Sequence, residues 1–307
     1  MTKKAESDRA DIYTRITDRI VEDLEQGVRP WMKPWSAANT HSRISRPVRH
    51  NGLPYSGMNV LLLWSEQMSR GFSSSMWMTF KQARELGAHV REGERGNMVV
   101  YANTISKTEE QDDGGEEERH IPFMKAYTVF NVEQIEGLPE HYYAKPEPVI
   151  DPAMRIEHAE AFFSMTRADI RHGGNQAYYS GASDHVQMPR FESFHAPEAY
   201  YATLAHELTH WTKHKNRLDR ELGRKKWGDE GYAREELVAE LGAAFLCADL
   251  DLTPQPGTDH AAYIQCWLKV LKEDKRAIFS AAAHAQRAAD FLHGLQCAPN
   301  TKEGAAA

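Results

Sequence analysis

The residues best suited to chemistry are His206, Glu207 and His210, in the run His206-Glu-Leu-Thr-His210. On a helix, the two histidines four residues apart project from one face. That spacing lets two imidazole nitrogens reach one Zn2+ ion at about 2.0–2.1 Å. Glu207, beside the first ligand, is placed to take a proton from metal-bound water and later give it to a leaving amine. The implied reaction is metal-assisted peptide hydrolysis, with Zn2+ expected and another divalent ion such as Mn2+ open. The flanking AYYATLA and LTHWT are helical and apolar, as a buried active-site helix requires.

A third ligand is sought downstream, in Glu235-Glu236-Leu-Val-Ala-Glu240-Leu-Gly-Ala-Ala-Phe245, where Glu236 and Glu240 share a helix face. This run resembles the second zinc helix of the gluzincins. The resemblance implies that Glu236 is the third ligand and Glu240 the acid that orients His206 or His210. The reverse assignment, with Glu240 on the metal, stays open. Glu235 faces away from that pair and is the least suited. A plain charged edge fits poorly, because an unpaired Glu240 among Val238, Leu241, Ala244 and Phe245 would be costly. His214 stands one more helical step on, but three ligands in a row on one helix cannot converge on one ion. His172, His185 and His195 show no ligand spacing. Tyr232 is the candidate to stabilise an oxyanion, and 178–190 the candidate edge strand for a peptide substrate.

The elements that must position these groups follow from periodicity and breakers. Ile12, Ile16, Ile20 and Leu24 mark an amphipathic helix over 8–25, ended by Gly27 and Pro30. A helix is expected over 56–69, and Thr79-Phe-Lys-Gln82 is a capping-box pattern opening a short one that stops at Gly87. Residues 97–105 and 123–132 are rich in strand formers, and the acidic stretch EEQDDGGEEER at 109–119 between them reads as a mobile hairpin tip. Lys145-Pro-Glu-Pro148 reads as a linker, after which Asp151 would cap a helix begun by Pro152. Short strands are expected at 178–180 and 185–188, then helices at 197–215, 231–249, 258–273 and 276–293.

Net charge divides unevenly: residues 1–108 carry +5 and residues 109–307 carry −12. Within 29–95 there are 10 basic and 4 acidic residues. Trp31, Lys33, Trp35, Arg43, Arg46, Arg49, Tyr55, Trp77, Lys81 and Gln82 interleave cations, rings and polar groups there, a mixture that suits single-stranded nucleic acid. Cys247, Cys266 and Cys297 form no CxxC pair and point to a reducing compartment. No apolar leader or membrane-length run is visible, so the cytoplasm is expected and no membrane partner.

Longer patterns carry a second resemblance. Pro30-Trp-Met-Lys-Pro-Trp35, Asn51-Gly-Leu-Pro-Tyr55-Ser-Gly57-Met-Asn59, Trp77-Met-Thr-Phe-Lys-Gln82, Val90-Arg-Glu-Gly93-Glu94-Arg95-Gly96 and Val129-Phe-Asn-Val-Glu-Gln134-Ile-Glu-Gly137 resemble the N-terminal domain of ArdC antirestriction proteins, shared with TraC-type plasmid primases. The stretches from Tyr200 to Trp211 and from Ala233 to Leu241 resemble the protease-like domain of the same proteins. The resemblance spans about residues 8–295. It implies an α+β chain: an N-terminal mixed α/β domain over 1–145 that binds single-stranded DNA, Asn59 included among its contacts, and a mainly helical zincin-like (gluzincin) metallopeptidase domain over 153–307. It also implies protection of incoming plasmid DNA from host restriction during conjugation. A protein substrate would then belong to a restriction system. The alternative is a DNA-binding shield whose metal site is structural or vestigial. Lys213 departs from the glycine expected before His214.

Overall fold

The computed structural model describes residues 2–32, 45–110, 116–143, 152–223, 229–252 and 260–296. The chain forms two compact units, one of Met1–Arg19 with Pro47–Pro146, the other of Ile20–Arg46 with Glu147–Ala307. Residues 20–46 thus group with the later part of the chain.

In the first unit, helix α1 (Thr2–Glu25) contributes its first part, followed by β1 (Val48–Arg49), α2 (Met58–Arg70), β2 (Met76–Thr79), α3 (Phe80–Glu85), β3 (His89–Val90), β4 (Asn97–Glu110), β5 (Glu116–Asn131) and β6 (Ile135–Glu136). The main sheet has the order β1-β2-β5-β4, and β3 pairs separately with β6. Helix α2 buries Val60, Leu61, Leu62, Leu63 and Trp64. It is tied to β4 by the Asn59 amide, which donates to the Val100 carbonyl at 2.8 Å and accepts from its N–H at 2.7 Å. The capping box is present: Thr79 Oγ1 accepts from Gln82 N at 3.2 Å and Gln82 Oε1 from Thr79 N at 2.8 Å. The β4–β5 ladder runs from Asn97↔Val129 to Glu110↔Glu116, so strand pairing continues into the acidic stretch expected as a mobile tip.

In the second unit, α4 (Pro152–Ser164), β7 (Asp169–His172), β8 (Tyr178–Ser180), β9 (His185–Met188), α5 (Pro197–Trp211), α6 (Glu230–Asp249), α7 (His260–Glu273) and α8 (Ala277–Gly294) follow in order. The small sheet has the order β7-β9-β8, with β8 antiparallel to β9 and beside α5. Strand β7 has no clear alternation and was not expected. Helix α6 packs against α5, α7 and α8 and is buried nearly all round, because Ala, Gly, Leu and Val occupy every side of it. At the α5–α6 crossing a Cβ on Gly242 would lie 2.5 Å from Thr209 Cγ2, so the close approach of the two helices requires glycine. Among the described residues no helix is long and apolar enough to cross a membrane.

Candidate metal centre

Helix α5 begins with Pro197 in its first turn and carries His206, Glu207 and His210 in its last turns, all in or near the core. Helix α6 starts at an Asp229 cap, whose carboxylate accepts from Tyr232 N at 2.8 Å, and delivers Glu236 opposite them. His206 Nε2 lies 3.6 Å from Glu236 Oε2, and His210 Nε2 lies 3.6 Å from Glu236 Oε1. The two rings are 4.9 Å apart and nearly perpendicular. Donors about 2.1 Å from an ion at tetrahedral angles are about 3.4 Å from one another, so this trio has the spacing of a divalent metal site. The three offer one ligand atom each within 4.8 Å of one another, and neither Glu240 nor His214 joins that group. Two imidazoles and a carboxylate suit Zn2+, and Mn2+ also accepts nitrogen–oxygen donors.

The metal-free charges are strongly coupled. Burial would lower His210, but Glu236 and Glu235 outweigh it and hold the imidazole at about 9. Burial would raise Glu236, but the two histidines hold it well below the usual carboxylate range. Metal binding must therefore displace the proton held on His210.

Two acids stand behind the ligands, Glu235 and Glu240. Glu235, read as facing away, accepts a hydrogen bond from His210 Nδ1 at 2.9 Å. It also accepts from Arg220, whose Nε and Nη2 each donate at 2.9 Å. Helix α6 is buried on nearly every side, so the face next to Glu236 meets the end of α5 and Arg220. Burial would push Glu235 up, but Arg220 and His210 bring it down to about 2. Lys213 Nζ stands 3.8 Å from Glu235, so the residue expected to be glycine adds a cation to this cluster. Glu240 lies beside the other histidine, with Oε2 3.9 Å from His206 Nδ1, an ion-pair distance longer than a hydrogen bond. Tyr232 donates toward or accepts from Tyr263 at 3.0 Å, and burial, Tyr263 and nearby Glu236 all raise its phenol.

His214 accepts from Asn216 N at 3.2 Å, His172 meets the Tyr200 hydroxyl at 2.9 Å and His185 meets Ser183 at 2.7 Å. These histidines have local structural partners.

Residues 157–284 match a family described as zincin-like metallopeptidase, and residues 10–130 match the N-terminal domain of anti-restriction factor ArdC. The crystal structure of antirestriction ArdC from plasmid R388, metal-free, superposes with a TM-score of 0.77 at 46% identity, over 93% of this chain and 97% of that one. The chain belongs to the ArdC antirestriction family. The Mn(II)-bound structure of R388 ArdC gives a TM-score of 0.74 at 44% identity, over 92% and 97% of the two chains. Protein y4eC of Sinorhizobium fredii is 43% identical over 93% of this chain and 92% of its own length. A DNA primase TraC of Escherichia coli is 38% identical over 91% of this ArdC-family chain, which spans only 27% of that primase. The α+β class and the zincin-like second unit expected from the sequence are both present.

The expected DNA contacts are dispersed. Trp31 is 0% exposed in the second unit, edge-on to Trp267 at 6.0 Å, and Trp77 is 0% exposed in the first, edge-on to Phe72. Neither ring offers a face for base stacking here; hydrophobic burial has claimed both. Arg46 lies in the second unit, where Nε and Nη2 hold both Asp249 oxygens at 2.8 and 2.9 Å and the guanidinium covers Phe245. Tyr55 is buried, and Arg49 stands over its ring at 5.4 Å. Asn59 and Gln82 spend polar groups on the backbone contacts above, whereas Arg49 and Lys81 are exposed. Lys33, Trp35 and Arg43 lie outside the described residues.

Other groups form a surface that composition did not reveal. The β4–β5 register and the two-residue side-chain period put Tyr101, Asn103, Phe123, Lys125 and Tyr127 on one face. Tyr101 and Tyr127 are 47% and 46% exposed, the Tyr101 and Phe123 rings are 6.0 Å apart, and Lys125 Nζ is 5.4 Å from the Phe123 ring centre. The available signal was the two-residue spacing of Tyr101 and Asn103 on one strand and of Phe123, Lys125 and Tyr127 on the next.

Proposed function

We propose that this protein protects incoming plasmid DNA from host restriction during conjugation, in the cytoplasm. In this reading it binds single-stranded DNA through its first unit and carries a divalent-metal peptidase site in its second. The observation that carries it is the convergence of His206, His210 and Glu236 with Glu207 beside them, in a chain of the ArdC family.

Zn2+, or Mn2+ as in the R388 relative, would supply Lewis acidity to a water and a peptide carbonyl when bound. Glu207, buried next to His206, would take the water proton and return it to the leaving amine. Tyr232, kept protonated beside Glu236, is placed to donate to a developing oxyanion. Three protein ligands match catalytic sites, whereas structural zinc sites use four, and this favours hydrolysis. Strand β8, at the edge of its sheet and next to α5, offers a backbone for a peptide substrate from the restriction machinery.

For DNA, the Tyr101–Phe123–Lys125–Tyr127 face combines stacking rings with a cation, and each stacked base is worth about 1–3 kcal/mol. Exposed Arg49 and Lys81 add phosphate contacts.

The test is plasmid transfer into restricting and non-restricting hosts. Glu207→Ala should retain metal and oligonucleotide binding but lose protection in the restricting host alone. Protection that survives Glu207→Ala yet disappears in the Tyr101→Ala, Tyr127→Ala double variant would instead assign the function to DNA coating. Protection unaffected by either change would sink both readings.

A further inference from the structure

Residues 10–130 match the ArdC N-terminal domain, yet Ile20–Arg46 belongs to the unit that carries the metal centre. Gly27, at φ 75°, turns the chain out of α1, and Val28 N donates to the Asp23 carbonyl at 2.8 Å. Trp31 then enters the core against Trp267. Between these anchors, Met32 N donates to the Arg29 carbonyl at 2.9 Å, and Arg29 Nη1 donates to Glu240 Oε1 at 3.2 Å. The Arg29 and Glu240 side chains are 14% and 9% exposed. Glu240 Oε2 faces His206 Nδ1, while His206 Nε2 faces the ligand carboxylate of Glu236.

The same order of groups stands behind the other ligand, as Arg220, Glu235 and His210, with the carboxylate at 2.9 Å from the ring where Glu240 is at 3.9 Å. A carboxylate behind a ligand imidazole orients the ring and raises its basicity. A nearly buried carboxylate can do so only if it is held in place, and an arginine fixed by its own neighbours holds it there. Trp267 also stacks on Tyr263, whose hydroxyl meets that of Tyr232 near Glu236, so the anchor of Arg29 adjoins the centre from a second side.

We infer that Arg29 is a positioning residue of the metal centre, holding Glu240 behind His206, and that this centre is incomplete without a segment outside the metallopeptidase match. The inference rests on the reading that His206, His210 and Glu236 bind a divalent ion.

The test measures Zn2+ affinity of the full chain against a competing chelator, together with Co2+ absorption spectra and thermal unfolding of the metal-free protein. Wild type should bind, and His210→Ala should not. Arg29→Met should weaken binding by about 10–100-fold, the usual range for such outer partners, and shift the Co2+ bands. Glu240→Gln should lose a similar factor, the double variant little more, and Arg29→Lys should recover part of the loss. A purely structural Arg29 would lower the unfolding temperature and leave affinity and spectrum alone. Wild-type affinity in Arg29→Met, or fully additive losses in the double variant, would overturn the inference while leaving the metal reading intact. If Arg29→Met does not fold, wild-type affinity in both Arg29→Lys and Glu240→Gln overturns it equally. Absence of binding by wild type would remove the metal reading and the inference together.

Discussion

Arg220 and Glu235 form a two-point ion pair, each contact 2.9 Å, with side chains 1% and 5% exposed. Arg220 also donates to the Thr209 carbonyl at 2.9 Å and to Thr212 Oγ1 at 3.1 Å, so one guanidinium joins the end of the first ligand helix to the acid on the second. Removing one partner of such a pair strands a buried charge, at about 3–5 kcal/mol. Arg220→Met should lower unfolding stability by that amount in denaturant titrations, and Arg220→Met with Glu235→Met should recover most of it. A single variant as stable as wild type would show that the pair does not hold the helices.

Gly242 sets the separation of α5 and α6. A methyl group there meets Thr209 at 2.5 Å from Cγ2 and 2.7 Å from Oγ1, so the helices must part or Thr209 must turn. Overpacking of this kind costs about 1–3 kcal/mol. Gly242→Ala should therefore destabilise the protein and weaken metal binding, because Glu236 moves relative to both histidines. Restoration of both by adding Thr209→Ala, which removes both clashing atoms, would locate the cause at that contact; no recovery would place it elsewhere.

Arg46 and the exposed cations of the first unit should respond differently to mutation. Arg46→Ala breaks a largely buried pair with Asp249 and should cost about 2–3 kcal/mol of stability, below the full-burial figure, with the salt dependence of oligonucleotide binding unchanged. Arg49→Ala and Lys81→Ala should spare stability and each reduce the salt slope by about 0.7 per lost phosphate contact. A reduced slope for Arg46→Ala would return that residue to the DNA surface.

Glu94 should shape the acid limb of stability. Its carboxylate accepts from Gln134 Nε2 at 2.8 Å and pairs with Arg70 and Arg91, which brings it from an ordinary 4.5 to about 2. A carboxyl depressed in the folded state stabilises the fold above its unfolded value, and that contribution fades as pH falls from about 4.5 toward about 2. Glu94→Gln should lower stability at neutral pH and flatten its loss across this window. Parallel pH profiles for the two proteins would rule Glu94 out as the source.

The sequence by itself determined the short-range features. The pair His206 and His210, the Thr79–Gln82 capping box, the strands at 178–180 and 185–188 and the later helices depend on neighbours a few residues apart, so spacing encodes them directly. The long β4–β5 hairpin was legible in outline because its strand formers flank a turn-rich acidic stretch. The tertiary structure decided what depends on distant partners. It separated Glu236 from Glu240 as the carboxylate facing both Nε2 atoms, and it turned Glu235 toward His210 because α6 is enclosed by other helices. It sent Trp31, Trp77 and Arg46 into interior contacts, since burial is decided by what packs on a ring or guanidinium and not by the company it keeps along the chain. Arg29 lies 211 residues from Glu240, a pairing that only the folded chain can make.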